Sequence, residues 1–183
     1  MTRFATKAEI RNFAAGLTIT EKASLRKSAT ATTASGTTFL SHSSKDVDLV
    51  AGSIKLLESH GAKVYIDEVD PSLPPYTNEQ TAAGLRERIG QCSKFVLLAT
   101  DNSKDSRWVP WELGVADGKK PFSSVAILPE SSTANDDKWG EWEYIGLYSK
   151  IVWGKFKGNT KDEFIVLNSR TNIGTPLRDW LKG

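Results

Sequence analysis

The chain has 183 residues, of which 39% are hydrophobic and 25% are charged, a length and composition typical of a globular domain with its own core. Its net charge of +2 predicts no broad basic surface for nucleic acid. One cysteine, Cys92, and two histidines exclude an internal disulfide framework and argue against a structural zinc site. No apolar run approaches the roughly 18 residues of a membrane span, and the N-terminus lacks the apolar stretch of a secretory signal. We therefore expect a cytoplasmic protein with a reduced thiol.

Residues 1–36 differ from the rest and are predicted to be an N-terminal helical extension with a linker, leaving 37–183 as the main domain. Apolar residues at the spacing of an amphipathic helix are Ile10, Phe13, Ala14 and Leu17. A second short helix is expected in "TEKASLRKS", with Thr20 as its N-cap, before the small and polar linker "ATATTASGTT". The basic residues here would suit an acidic partner or a membrane surface, but docking of the apolar stripe onto the domain is the simpler interpretation.

From Thr37 the sequence alternates between strand and helix patterns. The predicted strands are "TTFLS", "AKVYID", "SKFVLLAT" and "SSVAILP", and helices are predicted in "DVDLVAGSIKLLESHG", "EQTAAGLRERIGQ" and the segment after Trp108. This alternation indicates an α/β fold with a parallel sheet and helices on both faces. Two further strands, "KIVWGKF" and "EFIVLNS", precede a final helix, for which Thr175 is the expected cap and Pro176 the first residue.

Ligands of such open sheets bind outside the carboxyl ends of the strands. The predicted strands place one set of polar and aromatic residues on that rim. They are Ser41, His42, Ser43, Lys45, Asp67, Trp108 and Glu112. The segment "SRWVPWELG" is the most distinctive part, because Pro110 fits only the first turn of a helix and so places Trp108 at the helix entrance.

Four segments resemble, in this order, the landmarks of bacterial TIR (Toll/interleukin-1 receptor) domains: "TTFLSHSSKD", "KVYIDEVD", "GLRERIGQCSKFVLLAT" and "SRWVPWELG". The resemblance covers roughly residues 37–130 and implies a flavodoxin-like, doubly wound parallel sheet of about five strands. Many bacterial TIR domains cleave NAD+ at the nicotinamide–ribose bond, and some rejoin the product into a cyclic ADP-ribose isomer. In Thoeris antiphage defence such a product signals to a separate effector protein. The enzymes carry a Trp-x-x-x-Glu motif, which matches Trp108 and Glu112 here.

The resemblance implies that Glu112 is the catalytic acid. Nicotinamide departs as a neutral molecule, so the difficult species is the oxocarbenium-like ribose, which one carboxylate stabilises. The alternative is a solvated acid in the first turn of a helix, where the helix dipole favours it. Trp108 either stacks on substrate and walls the pocket or fills a structural gap beneath a loop.

The segment "SHSSKD" supplies donors for a pyrophosphate, namely Ser41, Ser43 and Lys45 beside a helix N-terminus. The alternative is ordinary capping of that helix by Ser44 or Asp46. His42 is expected to be a hydrogen-bonded residue at the strand end, with a catalytic base as the alternative.

Other expectations concern substrate and metal. Asp67 is expected to bind a ribose hydroxyl or to fix Lys45. Cys92 is expected to be an inert packing residue. The sequence shows no metal cluster, and NAD+ enters as a substrate, so no cofactor is expected.

The Pro-rich loop "EVDPSLPPYTNEQT" occupies the place of the TIR BB loop, although it lacks the glycine that this loop often has. The resemblance implies self-association through it, with Leu73 and Tyr76 as contact residues. Two alternatives remain open at this stage. One is a non-enzymatic TIR interaction module. The other is a flavodoxin-like nucleotide binder or response regulator, which the absence of an acid cluster after the first strand disfavours. The sequence leaves a linear or a cyclic product open.

Overall fold

The polypeptide builds one mixed β-sheet with helices on both faces. The computed structural model describes residues 2–67, 79–133, 139 and 145–183. The strands are β1 Ala5–Thr6, β2 Thr38–Ser41, β3 Val64–Tyr65, β4 Lys94–Ala99, β5 Val125–Ser131, β6 Ser149–Gly154, β7 Glu163–Asn168 and β8 Ile173–Pro176. The helices are α1 Lys7–Asn12, α2 Ile19–Ala31, α3 Val47–Ser59, α4 Glu79–Gln91, α5 Asp101–Lys104, α6 Trp108–Lys119 and α7 Leu177–Lys182. Short 3-10 turns occupy Phe122–Ser124 and Ile145–Leu147.

The sheet order is β3-β2-β4-β5-β6-β7-β8, and β1 pairs with β5 outside this path. The strands from β3 to β6 pair in parallel, whereas β7 and β8 add antiparallel strands at one edge. The five parallel strands therefore have the flavodoxin-like doubly wound order, which confirms the predicted α/β fold class. Strand β3 lies on one side of β2, whereas β4, β5 and β6 are added on the other side. The order of the strands therefore reverses between β2 and β4, and sheets of this type bind ligands in the crevice at that point.

Two hydrophobic clusters cover the two faces of the sheet. Alternate residues of β2 enter different clusters, since Leu40 packs with α3 residues such as Ile54, whereas Phe39 packs with Leu85 of α4 and Leu113 of α6. This alternation follows from the period of two in a strand. Every residue of β4 and β5 is buried, as expected for central parallel strands covered on both sides.

The N-terminal extension joins the main sheet. Strand β1 pairs in parallel with the carboxyl end of β5, with Ala5 beside Glu130 and Thr6 beside Ser131. Helix α1 buries Ile10 completely and packs on α3 at Gly52, where an added Cβ would lie 2.1 Å from the Ile10 carbonyl oxygen. The extension thus docks its apolar stripe on the domain.

Some predicted boundaries were wrong. Thr18, not Thr20, caps α2, because its side chain accepts from the backbone of Glu21 while the Glu21 side chain reaches back. This helix also extends to Ala31, so it includes the start of the expected linker. Pro176 lies at the N-cap position of α7 rather than inside it, while Thr175 pairs in β8. Within the described ranges, no helix is long and apolar enough to cross a membrane.

Candidate active site

Glu112 is a buried acid near the start of α6. The helix begins at Trp108, and Pro110 lies in its first turn, as the sequence predicted. Helix α6 packs against α4, β2 and β4, so Glu112 faces the sheet and is only 5% exposed. The alternative of a solvated surface acid is therefore wrong. A buried carboxyl group needs hydrogen-bond partners, because an unpaired one loses its hydration without compensation.

Ser41, the last residue of β2, supplies that partner. Its hydroxyl group donates a hydrogen bond to Oε2 of Glu112. Because Ser41 lies two residues after Phe39, both side chains point to the sheet face that α4 and α6 cover. Ser41 is itself only 1% exposed. The sequence suggested Ser41 as a donor to substrate, and the structure shows its hydroxyl hydrogen engaged by the acid.

Burial raises the pKa of Glu112 from its ordinary value of 4.5 to about 8. The hydrogen bond from Ser41 acts in the opposite direction, and the nearby negative charge of Asp67 raises the pKa further. At neutral pH the unliganded site therefore favours the protonated acid. A cationic ligand would shift the balance toward the carboxylate, because an opposite charge within a few ångströms stabilises it. Such a strongly perturbed acid on a ligand-binding rim is typical of a functional site.

Asp67 follows β3 on the same face of the sheet as Glu112. Its Oδ1 accepts from Nη1 of Arg88 at 3.0 Å and from the hydroxyl of Tyr65 at 3.4 Å. Burial, together with Asp67, raises the pKa of Tyr65 to about 12, so this phenol stays protonated and remains a donor. The alternative that Asp67 fixes Lys45 is not what the structure shows, since the cation bound to Asp67 comes from α4.

The segment after β2 is organised by Asp46 rather than by a capping serine. Asp46 occupies the N-cap position of α3, but its side chain makes no capping hydrogen bond. Its carboxylate instead accepts from Thr100 Oγ1 and from Asn102 Nδ2, both at 2.5 Å. These bonds tie the loop after β2 to the N-terminal end of α5, which directly follows β4, across the topological switch point. The proposal that Ser44 or Asp46 caps the helix through its side chain was therefore wrong for Asp46.

The other residues predicted in this loop lie in different settings. Ser43 is buried, and its hydroxyl accepts a long 3.4 Å bond from the Lys45 amide. Lys45 is exposed. His42 directly follows β2, and its Nδ1 atom lies 3.1 Å from the carbonyl oxygen of Leu40 in that strand, which is the predicted strand-end hydrogen bond. The structure thus brings Ser41 and Asp67 to the acid.

Trp108 is half-buried at the entrance of α6. Its ring lies edge-to-face with Trp111, with 5.3 Å between centroids, and both rings pack against the core cluster beneath α6. The guanidinium of Arg86 lies 5.2 Å from the centre of the Trp111 ring. Trp108 therefore combines a packed side with an accessible part, which fits both of the roles that the sequence left open.

The sequence did not single out Arg88, Thr100 or Asn102. Their contacts join segments far apart in the chain, with separations of 21 residues for Arg88–Asp67, 54 for Thr100–Asp46 and 56 for Asn102–Asp46. The available signal was the polar run "TDNS" directly after the buried strand β4, since polar residues at that edge face the crevice.

Two further expectations concern the rest of the molecule. Cys92 is buried, with Sγ 3.3 Å from Thr37 Oγ1, and burial raises its pKa, so it lacks the reactive thiolate of a functional cysteine. Among the residues whose positions are described, no group of three or more metal-binding side chains occurs. The loop containing Leu73 and Tyr76 lies outside the described residues.

The sequence matches the TIR domain family over residues 38–165. The chain belongs to the TIR domain family. It is 34% identical over 146 residues to the "Probable 3' cyclic ADP-D-ribose synthase ThsB'" of Bacillus cereus (strain MSX-D12), a match that covers 79% of this chain and 74% of the relative. It is also 35% identical over 78 residues to the "Putative cyclic ADP-D-ribose synthase TIR2" of Cytobacillus dafuensis, covering 41% of this chain and 21% of that protein.

Proposed function

We propose that this TIR protein cleaves NAD+ at the nicotinamide–ribose bond and converts the ADP-ribose part into a cyclic isomer. The observation that carries the proposal is the buried acid Glu112, held by Ser41 at the rim of a TIR sheet. Two relatives, one named a "Probable 3' cyclic ADP-D-ribose synthase" and the other a "Putative cyclic ADP-D-ribose synthase", support the same reaction class. NAD+ is the substrate in this reaction, and no resident cofactor is required.

Cleavage of NAD+ requires the protein to stabilise a positive charge on the ribose. When the C1′–N bond of NAD+ breaks, its electron pair leaves with nicotinamide, which becomes neutral, and positive charge develops on the ribose. A carboxylate at Glu112 would stabilise this charge inside a site with little water, where electrostatic interactions are strong. Attack by water at C1′ gives linear ADP-ribose, whereas attack by a nucleophilic atom of the same molecule gives a cyclic product. Both routes pass through the same stabilised cation.

The residues around Glu112 would orient the acid, bind the rest of NAD+ and exclude water. Ser41 holds and orients the acid, while the N-terminus of α3 with Ser43 and Lys45 would face the pyrophosphate. Trp108 would form a wall that limits access of water to the ribose. Asp67 and His42 complete the rim as candidate substrate contacts.

The biological role that we propose is production of a signalling nucleotide in bacterial antiphage defence. A diffusible cyclic product would act on a separate effector protein, as in Thoeris systems. The protein would work in the cytoplasm, where NAD+ is available. Self-association through the segment around Leu73 and Tyr76 would raise its activity.

The test is mass spectrometry of the products formed by concentrated protein with NAD+. The proposal predicts release of nicotinamide together with a cyclic ADP-ribose isomer, distinguished from linear ADP-ribose by a mass lower by one water. Exclusive formation of linear ADP-ribose would support NAD+ hydrolysis and reject cyclisation. Absence of nicotinamide release across a wide range of protein concentrations would favour the non-enzymatic interaction module instead.

A further inference from the structure

Two charged side chains, Asp67 and Arg88, lie on the side of the sheet where Glu112 is buried. Phe39 of β2 pairs with Tyr65 of β3, and the same register two residues further on places Asp67 beside Ser41, the residue that is hydrogen-bonded to Glu112. Asp67 therefore contributes a second carboxylate on the same face of the sheet, with a side chain that is 13% exposed. Arg88 reaches it from α4, and its guanidinium makes the 3.0 Å ion pair with Asp67 while the Arg88 side chain remains 49% exposed. Two carboxylates near one another disfavour each other's ionisation, and a cation bound to one of them offsets this effect.

The described elements packed around α6 contribute few charges on this side. The loop after β3 supplies Asp67, and α4 supplies Arg88 as well as Arg86, whose guanidinium stacks on Trp111. Strand β2 contributes the neutral donor Ser41. Arg88 is therefore the described cation that pairs directly with the carboxylate neighbouring Glu112.

We propose that Arg88 is a positioning residue for NAD+ cleavage, which by neutralising Asp67 keeps Glu112 able to carry the negative charge that the reaction needs. This inference rests on the proposed function, because it assigns Glu112 the charged role. Arg88 does not itself contact the acid, and it acts through Asp67. The ion pair also joins α4 to the segment directly after β3.

The contribution of this pair to folding should be small. Ion pairs with one partner that is about half exposed typically contribute little to the free energy of unfolding, because water screens them. A purely structural tie between α4 and β3 would therefore change the melting temperature slightly and leave the pH dependence of activity in place. An electrostatic role instead moves the acidic limb of the pH–rate profile, which reports ionisation of the catalytic acid.

The experiment measures NAD+ cleavage against pH for four test variants and one control variant. Arg88→Met should move the acidic limb to higher pH by about one unit, the usual spread caused by neighbouring charges, because Asp67 is then unopposed. Arg88→Lys should restore the limb toward its original position. Asp67→Asn should move the limb to lower pH. In the Asp67→Asn background, Arg88→Met should produce little further shift. Arg170→Met, an exposed arginine after β7, is the control for loss of one positive charge.

A second measurement does not depend on catalysis. Infrared titration of the protein, with Glu112→Gln as the subtraction reference, follows the protonated carboxyl band of Glu112 directly. The inference predicts that Arg88→Met displaces this titration to higher pH and Asp67→Asn displaces it to lower pH. If NAD+ is not cleaved but these displacements occur, the proposed function fails while the electrostatic coupling stands. Identical titrations in wild type and Arg88→Met, or equal shifts with and without Asp67, would overturn the inference.

Discussion

The hydrogen bond from Ser41 to Glu112 gives the most quantitative prediction. Ser41→Ala removes the hydroxyl donor while leaving the strand and its packing, since the new side chain differs by one oxygen atom. A hydrogen bond to a charged group contributes about 1.5–3 kcal/mol. At 1.36 kcal/mol per pKa unit this corresponds to a rise of about 1–2 units, which starts from a pKa of about 8 for Glu112.

The sign of the effect follows from the state that the bond favours. Ser41 donates to Glu112 and therefore stabilises the carboxylate, so its removal favours the protonated acid. At pH 7, below the pKa, each unit of increase lowers the ionised fraction about tenfold. We therefore expect NAD+ cleavage at pH 7 to fall by about 10- to 100-fold, and to recover as the pH is raised.

The assay is nicotinamide release measured from pH 6 to pH 10, together with thermal unfolding. Ser93→Ala is the matched control, because Ser93 donates to the Thr37 carbonyl oxygen at the opposite end of the sheet. The control should keep the wild-type pH profile. A uniform loss of activity at every pH in Ser41→Ala, or no change in the profile at all, would refute the assigned role of this hydrogen bond.

Three further predictions test other parts of the structure. Trp108→Ala should raise KM for NAD+ and lower the free energy of unfolding by only about 1–2 kcal/mol, because the ring is half-buried. Steady-state kinetics and thermal unfolding test this, and a loss of several kcal/mol would indicate that Trp108 fills a structural gap instead. Lys7→Met should cost up to about 3 kcal/mol in chemical denaturation, since it removes the ammonium group 3.4 Å from the fully buried Glu130; no measurable cost would refute this. Leu73→Asp with Tyr76→Ala should abolish a rise of specific activity with concentration, tested by dilution series and light scattering; an unchanged rise would exclude this loop from assembly.

Much of the fold was predictable because its patterns are local. The helix predicted in "EQTAAGLRERIGQ" is α4, with the same bounds, and the apolar run after Ser93 is the fully buried β4. Strand β1 was not predicted, because a two-residue strand shows no period and exists only through its pairing with β5. Strand β8 was missed for a related reason, since its four residues "IGTP" show no strand pattern and form a strand only beside β7.

The sequence predicted several residues of the candidate site, but not the contacts that these residues make with one another. Pro110 indicated the start of α6 and thus the place of Glu112 near that start. The burial of Glu112 depends on how α6 packs, and its bond to Ser41 joins residues 71 positions apart. Arg88 is one of two arginines on α4, and no local pattern distinguishes it from Arg86 as the partner of Asp67. Contacts of this kind arise from tertiary packing, which a single sequence does not reveal.

In the proposed reaction, the negative charge of Glu112 stabilises the cation that forms when NAD+ is cleaved. The most direct measurement is nicotinamide release by Glu112→Gln compared with wild type and with Glu58→Gln, which alters an acid in an exposed pair with Lys55. The pKa of Glu112 in the folded protein, about 8, lies above its ordinary value of 4.5. The stability of the wild-type protein therefore falls as the pH rises from the ordinary pKa to the folded pKa, because only the unfolded chain loses the proton in this range. Glu112→Gln removes this loss and should melt at an equal or higher temperature at pH 8. We expect nicotinamide release to fall by at least about 100-fold, or about 2.7 kcal/mol of barrier, in Glu112→Gln and to stay unchanged in Glu58→Gln. Turnover by Glu112→Gln close to that of wild type would contradict it.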